Sequence, residues 1–195
     1  MAGREHEFFT LGLPEDATVA VIDKFVGIED PWRISDGERM GERFPPTVVA
    51  QLDSDWGDRL TDFLGNTRGM LVLSEAARAL FEQADLEPPS LEYLPFVLEN
   101  RKGREMTGHH YCVAHPLRQV ACMDKGASRF NALDDGTVSI VSSLQVVKER
   151  IPHDAMLFRL QELPSLVIMR SDLRDLIEAA SLTGLCLTPM GEQIW

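Results

Sequence analysis

Apolar residues recur along this chain with two spacings, one typical of strands and the other of helices. Apolar or β-branched runs bounded by turn-forming residues predict eight strands. They lie at 16–22, 69–73, 91–99, 109–114, 118–123, 138–147, 166–169 and 185–188. The segments between 91 and 123 are separated only by short polar connections, which predicts that they form an antiparallel meander.

Apolar residues at helical spacing predict three helices. Over 48–64 the apolar side chains fall on one side and several aspartates on the other, which predicts an amphipathic helix with an acidic stripe. Ser74 and Ser171 each follow a short apolar run, and each is a predicted N-cap of a further helix. Pro88-Pro89 and Thr183-Gly184 end these two helices.

Together these elements predict an α+β fold, with a central, mostly antiparallel sheet flanked by a few helices. The length of 195 residues suits a single domain over 1–195. Within it we distinguish an acidic N-terminal portion, about 1–66, from a main α+β portion, about 67–195.

Charge is distributed unevenly along the chain. The net charge is −12, and residues 1–66 hold 14 acidic against six basic residues, a net −8. An acidic surface repels nucleic acid and anionic lipid and attracts a basic partner. We therefore expect a protein partner, and neither nucleic acid nor membrane, although acidic residues also serve simply to keep a protein in solution.

Cysteine usage and hydropathy bear on location. Three cysteines form no disulfide framework and fit a reducing compartment. The chain opens without a secretory signal pattern, and no apolar stretch approaches the roughly 20 residues of a membrane helix. We therefore expect a cytoplasmic protein.

The densest cluster of chemically reactive side chains is His109-His110-Tyr111-Cys112, with His115 close behind. On a strand, His110 and Cys112 would share one face, and Cys122 could approach from the next strand. This set lacks a zinc-ligand spacing, and no cysteine lies where a helix start would stabilise a thiolate. Phosphate, dinucleotide, hydrolase and zincin motifs are absent from the sequence. We expect no metal, no cofactor and no catalytic residue.

Five stretches of the chain carry recognisable structural motifs: 32–37, 91–100, 110–124, 151–159 and 173–185. The first of them has the form W-x-x-x-x-G. These stretches resemble the immunity proteins of bacterial polymorphic toxin systems, a myxobacterial-type domain formerly of unknown function. The resemblance covers most of the chain from Trp32 onward.

This resemblance implies a protein that binds a cognate toxin and blocks it in the producing cell. Such a role needs a tight interface and no reaction centre. The acidic first third is then the expected toxin-facing surface. The predicted contact residues are Asp53, Asp55, Asp58, Asp62 and Trp32.

Two other functions stay open on the sequence alone. One is an enzyme with an unfamiliar site around His110, Cys112 and His115. The other is a homo-oligomeric structural or regulatory protein, with the apolar end of the chain at 193–195 as its contact. An ordinary surface helix also has an acidic stripe opposite its apolar face, so the stripe over 48–64 fits a surface without a partner as well.

Overall fold

The computed structural model describes residues 6–29 and 32–194, and the side chain of Trp32 lies outside the description. In that part of the chain, strands greatly outnumber helices. The strands are β1 (Phe8–Leu11), β2 (Val21–Val26), β3 (Val49–Leu52), β4 (Phe63–Asn66), β5 (Leu71–Ser74), β6 (Leu91–Glu99), β7 (Tyr111–Pro116), β8 (Gln119–Val120), β9 (Arg129–Ala132), β10 (Val138–Ser143), β11 (Leu157–Leu160), β12 (Val167–Arg170) and β13 (Leu187–Pro189). The helices are α1 (Trp32–Ser35), α2 (Glu75–Gln83) and α3 (Ser171–Ala179), with 3-10 turns at Gly41–Arg43 and Lys148–Arg150.

Six strands close into a barrel in the order β2-β3-β6-β7-β5-β4. Neighbours pair antiparallel except β3 with β6 and β2 with β4, which are parallel. Each strand turns alternate side chains inward, so the interior is a packed core to which every strand contributes. Representative members are Ile22, Ala50, Leu64, Val72, Phe96 and Val113.

A five-stranded sheet in the order β13-β1-β12-β11-β8 lies beside the barrel. One of its faces packs under the β9–β10 hairpin, where Phe158, Ile168 and Val141 form a second core. The other face shares a third core with the barrel and with both nine-residue helices. Because that core contains Cys112 from the barrel and Met169 from the sheet, the two sheets bury a common apolar surface.

The two longer helices have different N-termini. Ser74 caps α2 as predicted, its hydroxyl accepting a hydrogen bond from the Ala77 amide at 3.2 Å. The prediction that Ser171 caps α3 is wrong, because Arg170 is the N-cap residue and the Ser171 hydroxyl accepts from the Glu7 amide instead. None of the described helices is both long and apolar enough to cross a membrane.

The predicted α+β fold with a central meander flanked by helices is wrong, since the chain is mostly β and contains a closed barrel. β6 and β7 do pair antiparallel, from Leu91 with Pro116 to Phe96 with Tyr111. β8 then leaves this sheet and pairs parallel with β11. Local periodicity identifies strands, but the partner of each strand depends on contacts between distant segments.

The predicted helix over 48–64 is also wrong, because β3 and β4 occupy its two ends and 53–62 is a loop. β3 has pairing partners on both edges, β2 and β6, which satisfy its backbone as a helix would. Gly57 packs so tightly on Thr18 that a Cβ there would lie 1.8 Å from the Thr18 carbonyl oxygen. The apolar spacing of this segment therefore reflects strands facing the barrel core.

The apolar end of the chain, as far as it is described, docks on the second core of the same chain. Ile194 is buried in the second core, and its amide donates to the Ser142 carbonyl at 2.9 Å. Gln193 bridges to Ser143 at the edge of β10. Trp195 lies outside the described residues.

Candidate functional site

The loop over 53–62, here called the acidic loop, lies at one end of the barrel. β3 and β6 end there and β4 and β7 begin there, as their pairing directions require. Three backbone hydrogen bonds fix the loop to residues 18–21, where the chain enters β2. The Asp53 amide donates to the Val21 carbonyl at 2.8 Å, and the Arg59 amide donates to the Thr18 carbonyl at 3.2 Å. The Arg59 carbonyl accepts from the Ala20 amide at 2.9 Å. The acidic loop is thus a supported surface with a defined backbone path.

The predicted contact residues do not share one environment. Asp55 and Asp58 are exposed, and Asp53 is half-buried, with its carboxylate accepting from the Asp55 amide at 2.7 Å. Asp62 points back into the fold. The backbone of Trp32 begins α1, which lies toward the opposite end of the barrel, while its side chain is outside the described part.

Asp62 joins three segments. Its carboxylate accepts from the Thr183 amide, the Thr183 hydroxyl and the Ser74 hydroxyl, each at 2.9 Å. Partial burial would raise the pKa of Asp62, but the hydrogen bonds from Thr183 and Ser74 outweigh burial and lower the pKa overall. The carboxylate therefore stays ionised near neutrality, held by the fold and less available to a partner.

A basic turn adjoins the acidic loop. Arg101, Lys102 and Arg104 are exposed in the β6–β7 connection, and the Arg101 guanidinium donates to the Trp56 carbonyl. Trp56 is half-buried and lies outside the three cores. The acidic loop thus has a cationic neighbour on one side.

A buried polar cluster lies at the opposite end of the barrel. Arg159 is 3% exposed, and its guanidinium donates to the Pro116 and Pro164 carbonyls at 2.8 and 2.7 Å. It also lies 3.1 Å from Nδ1 of His115, whose Nε2 lies 2.7 Å from the Glu38 carbonyl. A guanidinium can only donate, so Nδ1 accepts and Nε2 carries the proton. The imidazole is neutral and joins β7 to the segment after α1.

Burial lowers the pKa of His115 to about 4, and the nearby Arg159 charge acts in the same direction. Burial likewise lowers the pKa of Arg159 to about 10. Glu92, the cross-strand neighbour of His115, accepts from the Met40 amide at 2.8 Å. These contacts fasten 35–41 onto the barrel, which is a structural role.

The cysteines do not assemble into a reactive site. Cys112 and His115 lie on opposite faces of β7, one in the third core and the other beside Arg159. Burial raises the pKa of the Cys112 thiol to about 11 and that of Cys122 to about 12. His110 is exposed and precedes β7. Among the described residues, no group of three or more His, Cys, Asp or Glu side chains could hold a metal ion.

Sequence reasoning missed one feature beside the acidic loop. A cleft of about 520 Å³ lies between 12–19 and 184–188, with Arg59 and Thr61 also in its lining. No local pattern predicts it, since its two sides come from opposite ends of the chain. Only the pairing of β1 with β13 brings them together.

A sequence model of the immunity protein family (Imm11) matches residues 7–192, nearly the whole chain. The resemblance drawn from the sequence motifs is therefore confirmed. No curated protein matches the sequence.

Proposed function

The chain belongs to the Imm11 immunity protein family, and we propose that it neutralises a cognate bacterial toxin by binding it through a non-covalent interface. The family match over 7–192 is the observation that carries this proposal. We further propose that the protein acts as a single domain in the cytoplasm of the producing cell, on a toxin with a basic surface. Its three cysteines are unpaired, which fits a reducing compartment.

The negative charge of the acidic loop favours a partner with a basic surface. Asp55 and Asp58 project from a backbone fixed by hydrogen bonds to 18–21, so ordering the loop on binding costs little entropy. Complementary charge speeds association and disfavours wrong partners. We propose Asp53, Asp55 and Asp58 as direct contacts, whereas Asp62 shapes the loop from within. A contact role for Trp32 stays a prediction.

The placement of Cys112 and His115 favours binding over catalysis. An acyl- or group-transfer site built on Cys112 would need a thiolate near a base, yet burial raises the pKa of this thiol and His115 faces the other way. His110 is exposed and precedes β7. We therefore propose a non-enzymatic inhibitor.

Co-expression tests the proposal. The chain is produced together with the toxin-like product of the neighbouring gene, and both cell survival and co-purification are scored. We expect survival and a stable complex. Death of the cells together with the absence of a complex would contradict the proposal and return attention to an enzymatic or homo-oligomeric role.

Charge reversal tests the contact surface. Asp53, Asp55 and Asp58 changed together to Lys should slow association at low salt, and the difference should shrink as salt screens the charges. The control variant reverses three exposed acids elsewhere: Glu87, Asp134 and Glu149. Both variants change net charge equally, so identical association rates would exclude the acidic loop from the interface.

A further inference from the structure

We propose that the cleft beside the acidic loop is the anchor pocket of this interface, receiving an apolar side chain of the toxin flanked by Lys or Arg. The inference rests on the proposed function and identifies the part of the interface that contributes most of the binding free energy. It is carried by the shape of the cleft, its partly exposed apolar lining, its fixed walls and its acidic rim.

Apolar and polar side chains share the lining equally, and the apolar part is accessible. Leu13 is 40% exposed at the mouth, and Leu185, Cys186 and Leu187 are each half-buried along one wall. The volume of about 520 Å³ is ample for one large side chain and the backbone around it. Interface hot spots are typically apolar or aromatic anchors that fill such pockets and lose their contact with water.

The walls are held in place before a partner arrives. The Gly12 amide donates to the Cys186 carbonyl at 2.9 Å, which joins the two sides at the base. At Gly184 a Cβ would lie 2.3 Å from the Thr61 hydroxyl, and at Gly65 a Cβ would lie 2.7 Å from Pro14. Only glycine permits these close approaches, so the chain is closely packed around the cleft before a partner binds, which lowers the cost of ordering it.

The rim selects the charge of the occupant. Among the lining residues, Glu15 forms no ion pair within the described part of the chain, whereas Asp16 pairs with Arg59 at 2.5 Å. A hydrogen bond from Thr18 lowers the pKa of Asp16, which keeps that carboxylate ionised. Arg59 is the one cation among the described lining residues and is already paired, so Lys or Arg beside the toxin's apolar side chain would meet the uncompensated Glu15 carboxylate.

This charge pattern also argues against a second copy of the chain as occupant. A copy would bring a net charge of −12 to an acidic rim. Among the residues that the structure describes, the other exposed apolar side chains do not lie in a cleft with an acidic rim. Leu133 and Ile140 stand on the β9–β10 hairpin, and scattered exposed hydrophobic residues are ordinary on protein surfaces.

Matched substitutions at two leucines test the pocket. Leu13 and Leu176 are 40% and 43% exposed, and each can be changed to Glu with the same change in charge. Affinity is measured for the toxin protein that co-purifies in the co-expression experiment. We expect Leu13→Glu to weaken binding on the order of tenfold or more. Leu176→Glu, on α3, should bind like wild type, and Leu13→Met should retain most of the affinity.

A second measurement needs no substitution in the cleft. Cys186 is half-buried, whereas Cys112 and Cys122 are 4% and 0% exposed, so a small maleimide reports mainly on Cys186 in the native protein. Bound toxin should slow this reaction on the order of tenfold, as expected when a reactive group leaves solvent.

The outcomes separate the inference from the proposed function. A wild-type complex in which Leu13→Glu binds as tightly as Leu176→Glu, or in which Cys186 reacts at an unchanged rate, would overturn the anchor pocket and leave the immunity role intact. Absence of any wild-type complex would overturn both. Urea unfolding of each variant identifies any loss of binding that follows from loss of the fold.

Discussion

Gly37 offers a sharp test of the buried polar cluster, because it lies directly over Arg159. Gly37 is buried with a φ of +71°, and a Cβ added there would lie 2.6 Å from Cδ of Arg159. Ordinary van der Waals contact begins near 3.4 Å, so one of the two groups must move. The guanidinium cannot withdraw easily, since the Pro116 and Pro164 carbonyls and His115 hold it.

The expected loss of unfolding free energy in Gly37→Ala has two parts. A left-handed backbone costs an L residue about 1–2 kcal/mol, partly offset because alanine reduces the freedom of the unfolded chain. Forcing a methyl group into a filled site costs about 1–3 kcal/mol more. Gly136 has a φ of +85° and open space around it, so Gly136→Ala carries only the first part.

Urea unfolding followed by far-ultraviolet circular dichroism measures both variants. We expect Gly37→Ala to lose about 2–4 kcal/mol of unfolding free energy and Gly136→Ala to lose about 1 kcal/mol, with unchanged m-values. Equal losses would show that Arg159 is free to move away, and would refute the view that this cluster rigidly fastens 35–41 to the barrel.

Three further predictions concern stability. Ser74→Ala should cost about 1–2 kcal/mol because it removes a helix cap and a partner of Asp62, whereas Ser171→Ala should cost about 0.5 kcal/mol, both by urea unfolding. Asp62→Asn should cost about 1–2 kcal/mol, because an amide has a single accepting oxygen and cannot accept from both Thr183 and Ser74 as the carboxylate does; an unchanged midpoint would contradict this role. The folded pKa of His115, about 4, is below its ordinary 6.5, so the folded state binds fewer protons and loses stability as pH falls below about 6.5. The loss of unfolding free energy should reach about 2 kcal/mol at pH 5 in the wild-type protein and be absent from His115→Asn. If unfolding free energy depended on pH in the same way in both proteins, His115 would not be a buried neutral imidazole.

The acidic loop shows how a sequence pattern can point to a surface for the wrong reason. The aspartates were expected on one stripe of a helix over 48–64, but the segment is strand, loop and strand. Asp55 and Asp58 are still exposed together, because polar residues in a surface loop and on a surface helix obey the same preference for water. Asp62 differs because Thr183, distant in sequence, lies beside it.

Local chemistry was sufficient for several elements. β6 spans the predicted 91–99, and α2 begins directly after its predicted capping serine. Such features depend on neighbours within a few residues, where strand periodicity and cap hydrogen bonds operate. The W-x-x-x-x-G motif also has a physical basis now, since its glycine is the only residue that fits over Arg159.

The sequence by itself therefore determined several strands, among them β6, β7 and β12, the two nine-residue helices, the acidic character and the family resemblance, all of which depend on short-range pattern or on composition. The tertiary structure alone decided that six strands close into a barrel, that β8 joins the other sheet, and that 12–19 meets 184–188 to form the cleft. These features arise from pairing between segments far apart in the chain. Backbone hydrogen bonds form equally well with many possible partners, so only the packing of the whole chain selects among them.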